Sequence, residues 1–178
     1  MELHYTEHLT DPHWQAELWR LLSAHDNDFV PPLSQREDTC QQALTGGAAE
    51  DGPRAYYHAL LEQSFLLAVE DGKLLGFYSF RLNYLPDPIA HLRREALLPV
   101  YVTTIVVDGP ARRKGLATQF YQMLPTLFPG GLLVTTRTWS GNTSHLHLLE
   151  KLGFTLSLRI SDDRGPSVDT VYYSTVYP

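Results

Sequence analysis

Residues 107–118 read Val-Asp-Gly-Pro-Ala-Arg-Arg-Lys-Gly-Leu-Ala-Thr and carry the densest chemical signal in the chain. A β-branched run ends at Val107 and Gly109-Pro110 turns the chain. An apolar stripe at Leu116, Phe120, Met123, Leu124 and Leu127 then predicts a helix. On this reading Arg112, Arg113, Lys114 and Gly115 stand in its first turn. Helix starts present four unpaired N–H groups and a partial positive charge, which makes them anion sites. Cations normally avoid that end because the macrodipole repels them. Three cations there, with a glycine that lets backbone approach closely, point to a ligand with several negative charges, such as a diphosphate. The bland alternative is a solvated basic helix start in which Gly115 only packs. A P-loop does not fit, because Leu116 follows Gly115 where Lys-Ser/Thr is needed. A dinucleotide turn needs G-x-G-x-x-G in the first βα turn, and this turn comes late.

The elements that must position this turn are legible on both sides of it. Leu3 to Leu9 alternates weakly and predicts a first strand. Asp11 caps a helix with Pro12 at its first position, and Trp14, Leu18, Leu21 and Leu22 form its apolar stripe to about His25. After Pro31-Pro32, Ser34 and Glu37 form a capping box for a second short helix. Gly46-Gly47 and Asp51-Gly52-Pro53 mark a loop, and Arg54 to Gln63 adds further helical turns. Phe65, Leu67 and Val69 alternate, Asp71-Gly72 makes a type I′ turn, and Leu75, Phe77 and Ser79 alternate back.

Val100 to Val107 is a β-branched run without alternation, as in a central strand covered on both faces. Pro125 should end the following helix near Leu124. Leu132 to Thr136 completes a β-α-β unit, so it is expected parallel to the central strand. Asn142 caps a last helix that stops at Gly153, and Phe154–Ile160 with Val168–Val176 forms a closing antiparallel pair. The order βααβββαβαββ gives a mixed α/β fold: one domain over residues 1–178, with a mostly antiparallel sheet around a central parallel β-α-β unit.

Composition narrows the partners. The 178 residues carry 14 Lys plus Arg against 20 Asp plus Glu, a net charge of −6, and no basic block. Such a chain makes a poor nucleic-acid or anionic-membrane binder. Cys40 is the single cysteine, so an internal disulfide is excluded, and it reads as a buried spectator in a reducing compartment. The first 20 residues lack a signal peptide, and the apolar run 96–107 contains Pro99 and is too short to span a bilayer. A cytoplasmic location follows as the expectation. None of the eight histidines falls in H-x-x-x-H or H-E-x-x-H, and a helix turns the rings of His145 and His147 about 200° apart, so no metal is expected.

Two segments together resemble the GNAT N-acetyltransferase superfamily. Its pattern Gln/Arg-x-x-Gly-x-Gly/Ala after a strand is matched by Arg112-Arg113-Lys114-Gly115-Leu116-Ala117. Its Asn, helix, Glu-Lys-x-Gly-Phe signature is matched by Asn142 and Glu150-Lys151-Leu152-Gly153-Phe154. The resemblance covers Phe65 to Tyr173 well and the first 60 residues in element order. Asp28–Ser34 also resembles a loop of small bacterial members of unassigned substrate. It implies acetyl-CoA or another acyl-CoA as donor, and the acceptor expected is a small-molecule primary amine, with a homodimer allowed. It implies that the backbone of Arg113 to Thr118 cradles the diphosphate. The pantetheine arm would pair with Ile105, Val106 and Val107, and Asn142 would reach the same arm.

Proton handling is where the chain departs from the family. Many members place a Tyr four residues before the signature Gly as an acid toward the departing thiolate, and here that position is Leu149. Several relatives use a Glu as base, and the matching position here is Tyr101. Tyr101 and His147, with His145 beside it, are the candidate proton-handling groups. Phe29, Arg36 and Tyr172 are the candidate acceptor contacts. The alternatives are a non-catalytic acyl-CoA-binding module and a nucleotide-phosphate binder that does not use CoA.

Overall fold

In the computed structural model, which describes residues 1–44 and 51–178, Asp11 and Pro12 start the first helix as their types predict. The Asp11 side chain accepts from the His13 N–H at 2.8 Å. This helix, α1 (Pro12–Ala24), follows strand β1 (Glu2–Thr6). The remaining elements are α2 (Arg54–Leu61), β2 (Ser64–Glu70), β3 (Lys73–Leu82), β4 (Leu98–Val107), α3 (Leu116–Leu127), β5 (Leu132–Trp139), α4 (Thr143–Lys151), β6 (Thr155–Ile160) and β7 (Thr170–Tyr177). The order βααβββαβαββ is the one expected, with α2 rather than a helix at Ser34 in third place.

The strands form a seven-stranded sheet in the order β1-β2-β3-β4-β5-β7-β6. The β1–β2, β2–β3, β5–β7 and β6–β7 pairs are antiparallel and β4–β5 is parallel, so the β4–α3–β5 crossover is the expected β-α-β unit. Two compact units share the chain. One is Met1–Phe80 with Thr104–Ala117, the other Arg81–Thr103 with Thr118–Pro178.

In the first unit the predicted stripe of α1 buries Leu18, Leu21 and Leu22 completely, against Phe65 and Leu67 of β2, Phe77 of β3 and Val106 of β4. Each such side chain contributes about 1.5–3 kcal/mol on leaving water. The β2–β3 hairpin turns at Asp71 and Gly72, both with positive φ (49° and 73°), as a type I′ turn requires. Residue Leu75 is extra in β3, because Ala68 faces Gly76 while Val69 faces Leu74.

The second unit builds on β7, which pairs with β5 on one side and β6 on the other. Phe120, Tyr121 and Leu124 of α3 and Leu149 of α4 are fully buried there. The Tyr121 ring meets Phe154 edge-on at 5.3 Å. Gly153 takes φ 84° after α4, the left-handed stop that its sequence position predicts.

Two local expectations are corrected here. The Ser34–Glu37 capping box does not form. Only one 3-10 turn, Leu33–Gln35, follows Pro32, and Arg36 is already extended (φ −115°, ψ 140°). The Ser34 N–H is taken by Asp26 Oδ1 at 2.7 Å and the Glu37 N–H by Gln41 Oε1 at 2.6 Å, which removes the reciprocal bonds of the box. Pro125 lies inside α3 and does not end it. It forfeits one bond to the Tyr121 carbonyl, and the Phe128 N–H to Leu124 O bond at 2.9 Å carries the last turn past it. Gly46-Gly47, read as a loop, lies outside the described residues.

Candidate active site

The end of β4 is held on one edge and one face. Asp108 donates its N–H to Leu75 O at 2.8 Å, and the Tyr56 and Thr104 hydroxyls lie 2.6 Å apart beneath the strand. Strand periodicity therefore turns the peptide groups of Thr104 and Val106 toward β3 and those of Ile105 and Val107 toward the opposite edge. The β4–β5 ladder covers only Leu98–Val102 against Leu132–Thr136. From Thr104 onward that opposite edge has no strand beside it among the described residues. Ile105 and Val107 are also half-buried, whereas Val106 is buried in the α1 core. This is an edge that an extended ligand can join.

Beyond β4 the chain makes a 3-10 turn, Gly109–Ala111, and Asp108 caps it by accepting from the Gly109 N–H at 2.9 Å. Arg112, Arg113, Lys114 and Gly115 are in a loop rather than in the first helical turn, because α3 begins only at Leu116. The physical reason is backbone conformation: Arg112 is extended (ψ 154°), and Arg113 and Gly115 take φ 63° and 76°, which no helix accepts. This placement eases the electrostatics, since the cations precede the positive helix end instead of sitting in it. The orphan N–H groups are then those of Leu116, Ala117, Thr118 and Gln119. Left-handed residues flanking Lys114 are backbone of the kind that gathers N–H groups around an anion. All four loop residues are exposed, and nothing lies within 4 Å of a Cβ built on Gly115.

The exposed Arg112 side chain is partly tied back to the protein. Its Nε donates to Val107 O at 2.9 Å and its Nη2 to Asp28 Oδ2 at 2.7 Å. His25 joins the group, with Nδ1 at 2.8 Å from Asp28 and Nε2 at 3.4 Å from Asp108. The hydrogen bond from Arg112, stronger than the opposing effect of burial, holds the Asp28 carboxyl below its ordinary range. Asp28, His25 and Asp108 were not singled out as site residues, and no spacing rule links them to Arg112.

In the same unit, Phe29 is half-buried against the α1 core. Arg36 is buried, donates through Nε and Nη2 to Pro31 O (3.1 and 2.8 Å), and lies 5.8 Å from the Phe29 ring centre and 6.0 Å from that of Tyr56. The two acceptor candidates are thus in contact.

In the second unit Asn142 occupies the N-cap position of α4 without making a side-chain cap. Its Nδ2 instead donates to Thr138 Oγ1 on β5 at 2.9 Å. Leu149 is fully buried, so a core residue fills the position of the family's acid. Tyr101 is 1% exposed, its ring 5.7 Å from that of Tyr84, and His147 is exposed. His145 is half-buried, with Nε2 3.0 Å from the Tyr121 hydroxyl. Burial lowers its pKa from 6.5 to about 4 and raises that of Tyr121, so both are neutral at neutral pH. Tyr172 is wholly buried in β7. Among the described residues no three His, Cys, Asp or Glu side chains gather as a metal site would need, and no helix is long and apolar enough to cross a membrane.

The sequence model of the acetyltransferase (GNAT) family matches residues 18–154, across both signatures. The chain belongs to the GNAT acetyltransferase family. As a GNAT protein it is an acyltransferase. No curated protein sequence matches it. Its fold is that of solved GNAT structures. An N-acetyltransferase from Staphylococcus aureus Mu50 superposes with TM-score 0.64 at 15% identity, covering 98% of each chain. An aminoglycoside 6′-N-acetyltransferase complexed with coenzyme A gives 0.66 at 13% identity, again over 98% of both chains. A ribosomal-protein-alanine N-acetyltransferase from Brucella melitensis gives 0.59 at 16% identity, over 99% of this chain and 100% of that one.

Proposed function

We propose that residues 1–178 act as one cytoplasmic N-acetyltransferase domain that moves an acetyl group from acetyl-CoA to the primary amine of a small molecule. One observation carries the donor assignment. The unladdered edge of β4 leads directly into an exposed turn with left-handed Arg113 and Gly115, and then into the free N–H groups of α3. That succession fits an extended arm followed by a diphosphate, which is the shape and charge of CoA. The coenzyme A held by the aminoglycoside acetyltransferase of the same fold agrees with it.

In this reading the peptide groups of Ile105, Val106 and Val107 bind the pantetheine arm, with Asn142 as a further polar contact. Arg112 to Thr118 form the diphosphate turn. Main-chain donors do not titrate, so they hold the donor equally at every working pH, and fixed N–H groups stabilise the thioester oxygen as it gains charge. Catalysis is then mainly positioning of the amine against the carbonyl. A thiol pKa near 8.5 lets the thiolate depart without the acid that Leu149 removes. Tyr101 is the candidate that orients a water or gives a proton, and exposed His147 is the candidate that takes one. Phe29, Arg36 and Tyr172 are the candidate acceptor contacts.

The test incubates the protein with acetyl-CoA and a panel of primary amines and follows free CoA thiol. Release that depends on one amine class is the expected result. Binding of acetyl-CoA without turnover of any amine would sink the catalytic reading, and ATP protection equal to that from CoA would sink the donor assignment.

A further inference from the structure

We propose that Asp28 is a positioning residue for the donor turn, holding Arg112 on the end of β4 so that Arg113, Lys114 and the α3 N–H groups, and not Arg112, meet the phosphates. The inference rests on the donor site proposed above and assigns work within it.

Arg112 opens the basic run, and its position alone would make it a phosphate ligand. Two of its nitrogens, Nε and Nη2, are engaged by the protein. Nε closes onto Val107 O at 2.9 Å, which folds the loop back against the strand it has just left. Nη2 closes onto Asp28 Oδ2 at 2.7 Å and stands 3.0 Å from His25 Nδ1. A guanidinium facing a carboxylate at that distance has most of its charge compensated locally. Arg113 and Lys114 differ: both are exposed, and neither makes an ion pair among the described residues.

The anchor behind Asp28 is firm. Asp28 ends the turn that follows α1, and His25 bonds its carboxylate at 2.8 Å. The chain of contacts continues through Asp108 to Arg20 at 3.2 Å. Arg20 pairs with Glu17 through two bonds of 3.0 Å, and Glu17 accepts the Leu74 N–H of β3 at 2.9 Å. An isolated exposed ion pair contributes little, but a connected series on a helix whose apolar face is buried holds its members better than a single pair. The left-handed φ of 63° at Arg113, unfavourable for a residue with a Cβ, sits next to this clamp. Releasing Arg112 frees that residue to leave the conformation that gathers the N–H groups.

The experiment measures CoA affinity by calorimetry for the full chain and for Asp28→Ala, Asp28→Asn, Arg112→Ala and the Asp28→Ala/Arg112→Ala double variant. Asp28→Ala is expected to weaken CoA binding about three- to tenfold, as coupling within one network predicts. Asp28→Asn, which keeps an acceptor oxygen, recovers part of that loss. In the Arg112→Ala background, Asp28→Ala should cost nothing more, a result that general damage to the fold would not produce. Tighter CoA binding in Asp28→Ala would mean that Arg112 is a phosphate ligand restrained by Asp28, and the proposal is then wrong. Unchanged affinity, or losses that add in the double variant, overturn it equally. Gly115→Glu separates the levels: if that variant still binds CoA, the donor site itself is misplaced and this proposal falls with it.

Discussion

Gly76 on β3 stands so close to Val106 on β4 that a Cβ at Gly76 would lie 2.8 Å from the Val106 carbonyl oxygen and 3.1 Å from a methyl of Leu116. The first atom is backbone and cannot rotate away. The absence of a side chain at Gly76 therefore lets the end of β4 and the first residue of α3 press against β3.

Gly76→Ala should push Val106 outward. The overpacking is expected to cost about 1–3 kcal/mol, which lowers Tm by about 2–10 °C for a chain of this size. CoA affinity should fall as well, because Ile105 and Val107 flank the displaced carbonyl. Thermal melts and CoA titrations of the variant check both halves, and an unshifted Tm refutes the close approach.

Gly115→Glu places a carboxylate in the middle of the basic turn. The side chain has open space around it, so the cost to folding should stay near the 1–2 kcal/mol of a left-handed non-glycine residue. CoA affinity should drop by about 100-fold or more through like-charge repulsion with the diphosphate. Equal affinity in variant and parent would remove the donor site from this turn.

The half-buried His145, bonded to buried Tyr121, sets a pH dependence. The folded pKa of His145 lies near 4, below the 6.5 of the unfolded chain. Between these values the unfolded state binds the extra proton, so stability is full above about pH 6.5 and declines as pH falls toward 4. The decline due to this group is at most about 3 kcal/mol. His145→Gln should flatten that part of the curve in denaturant titrations, and an unchanged slope would count against burial of the neutral ring.

Pro125→Ala should restore an N–H to the last turn of α3 and relieve the ring's crowding of the Tyr121 carbonyl. A gain of about 1 kcal/mol is expected, less than the full cost of a mid-helix proline because the site lies near the helix end. A rise of about 2–4 °C in Tm is the readout.

Tyr101→Phe tests proton handling. Loss of the hydroxyl should lower kcat by about tenfold or more while CoA affinity stays unchanged. If kcat also stays unchanged, Tyr101 is a packing residue, and His147→Ala becomes the decisive variant.

Elements set by neighbouring residues were readable from the chain alone. Asp11-Pro12, the Asp71-Gly72 turn and Gly153 each impose their conformation through their own backbone preferences, and each stands where expected. The misread segments are those where tertiary partners outbid a local preference. Asp26 and Gln41 take the N–H groups that the Ser34–Glu37 box needed. The basic residues fit a helical pattern at the start of α3, yet the hold of Asp28 and Val107 on Arg112 accompanies a left-handed loop. Asp28 and Arg112 are 84 residues apart, and no spacing rule links them. Gly76 did carry a signal, a glycine within an alternating strand, which marks a close backbone approach.

Strand β7 lies between β5 and β6, although β6 precedes it in the chain. During synthesis, residues 155–160 therefore emerge with no neighbour to zip onto until residues 170–177 have followed them out of the ribosome. A message truncated anywhere in that interval would release a chain with β6 unattached and the β5 margin bare, a species prepared for aggregation rather than for work.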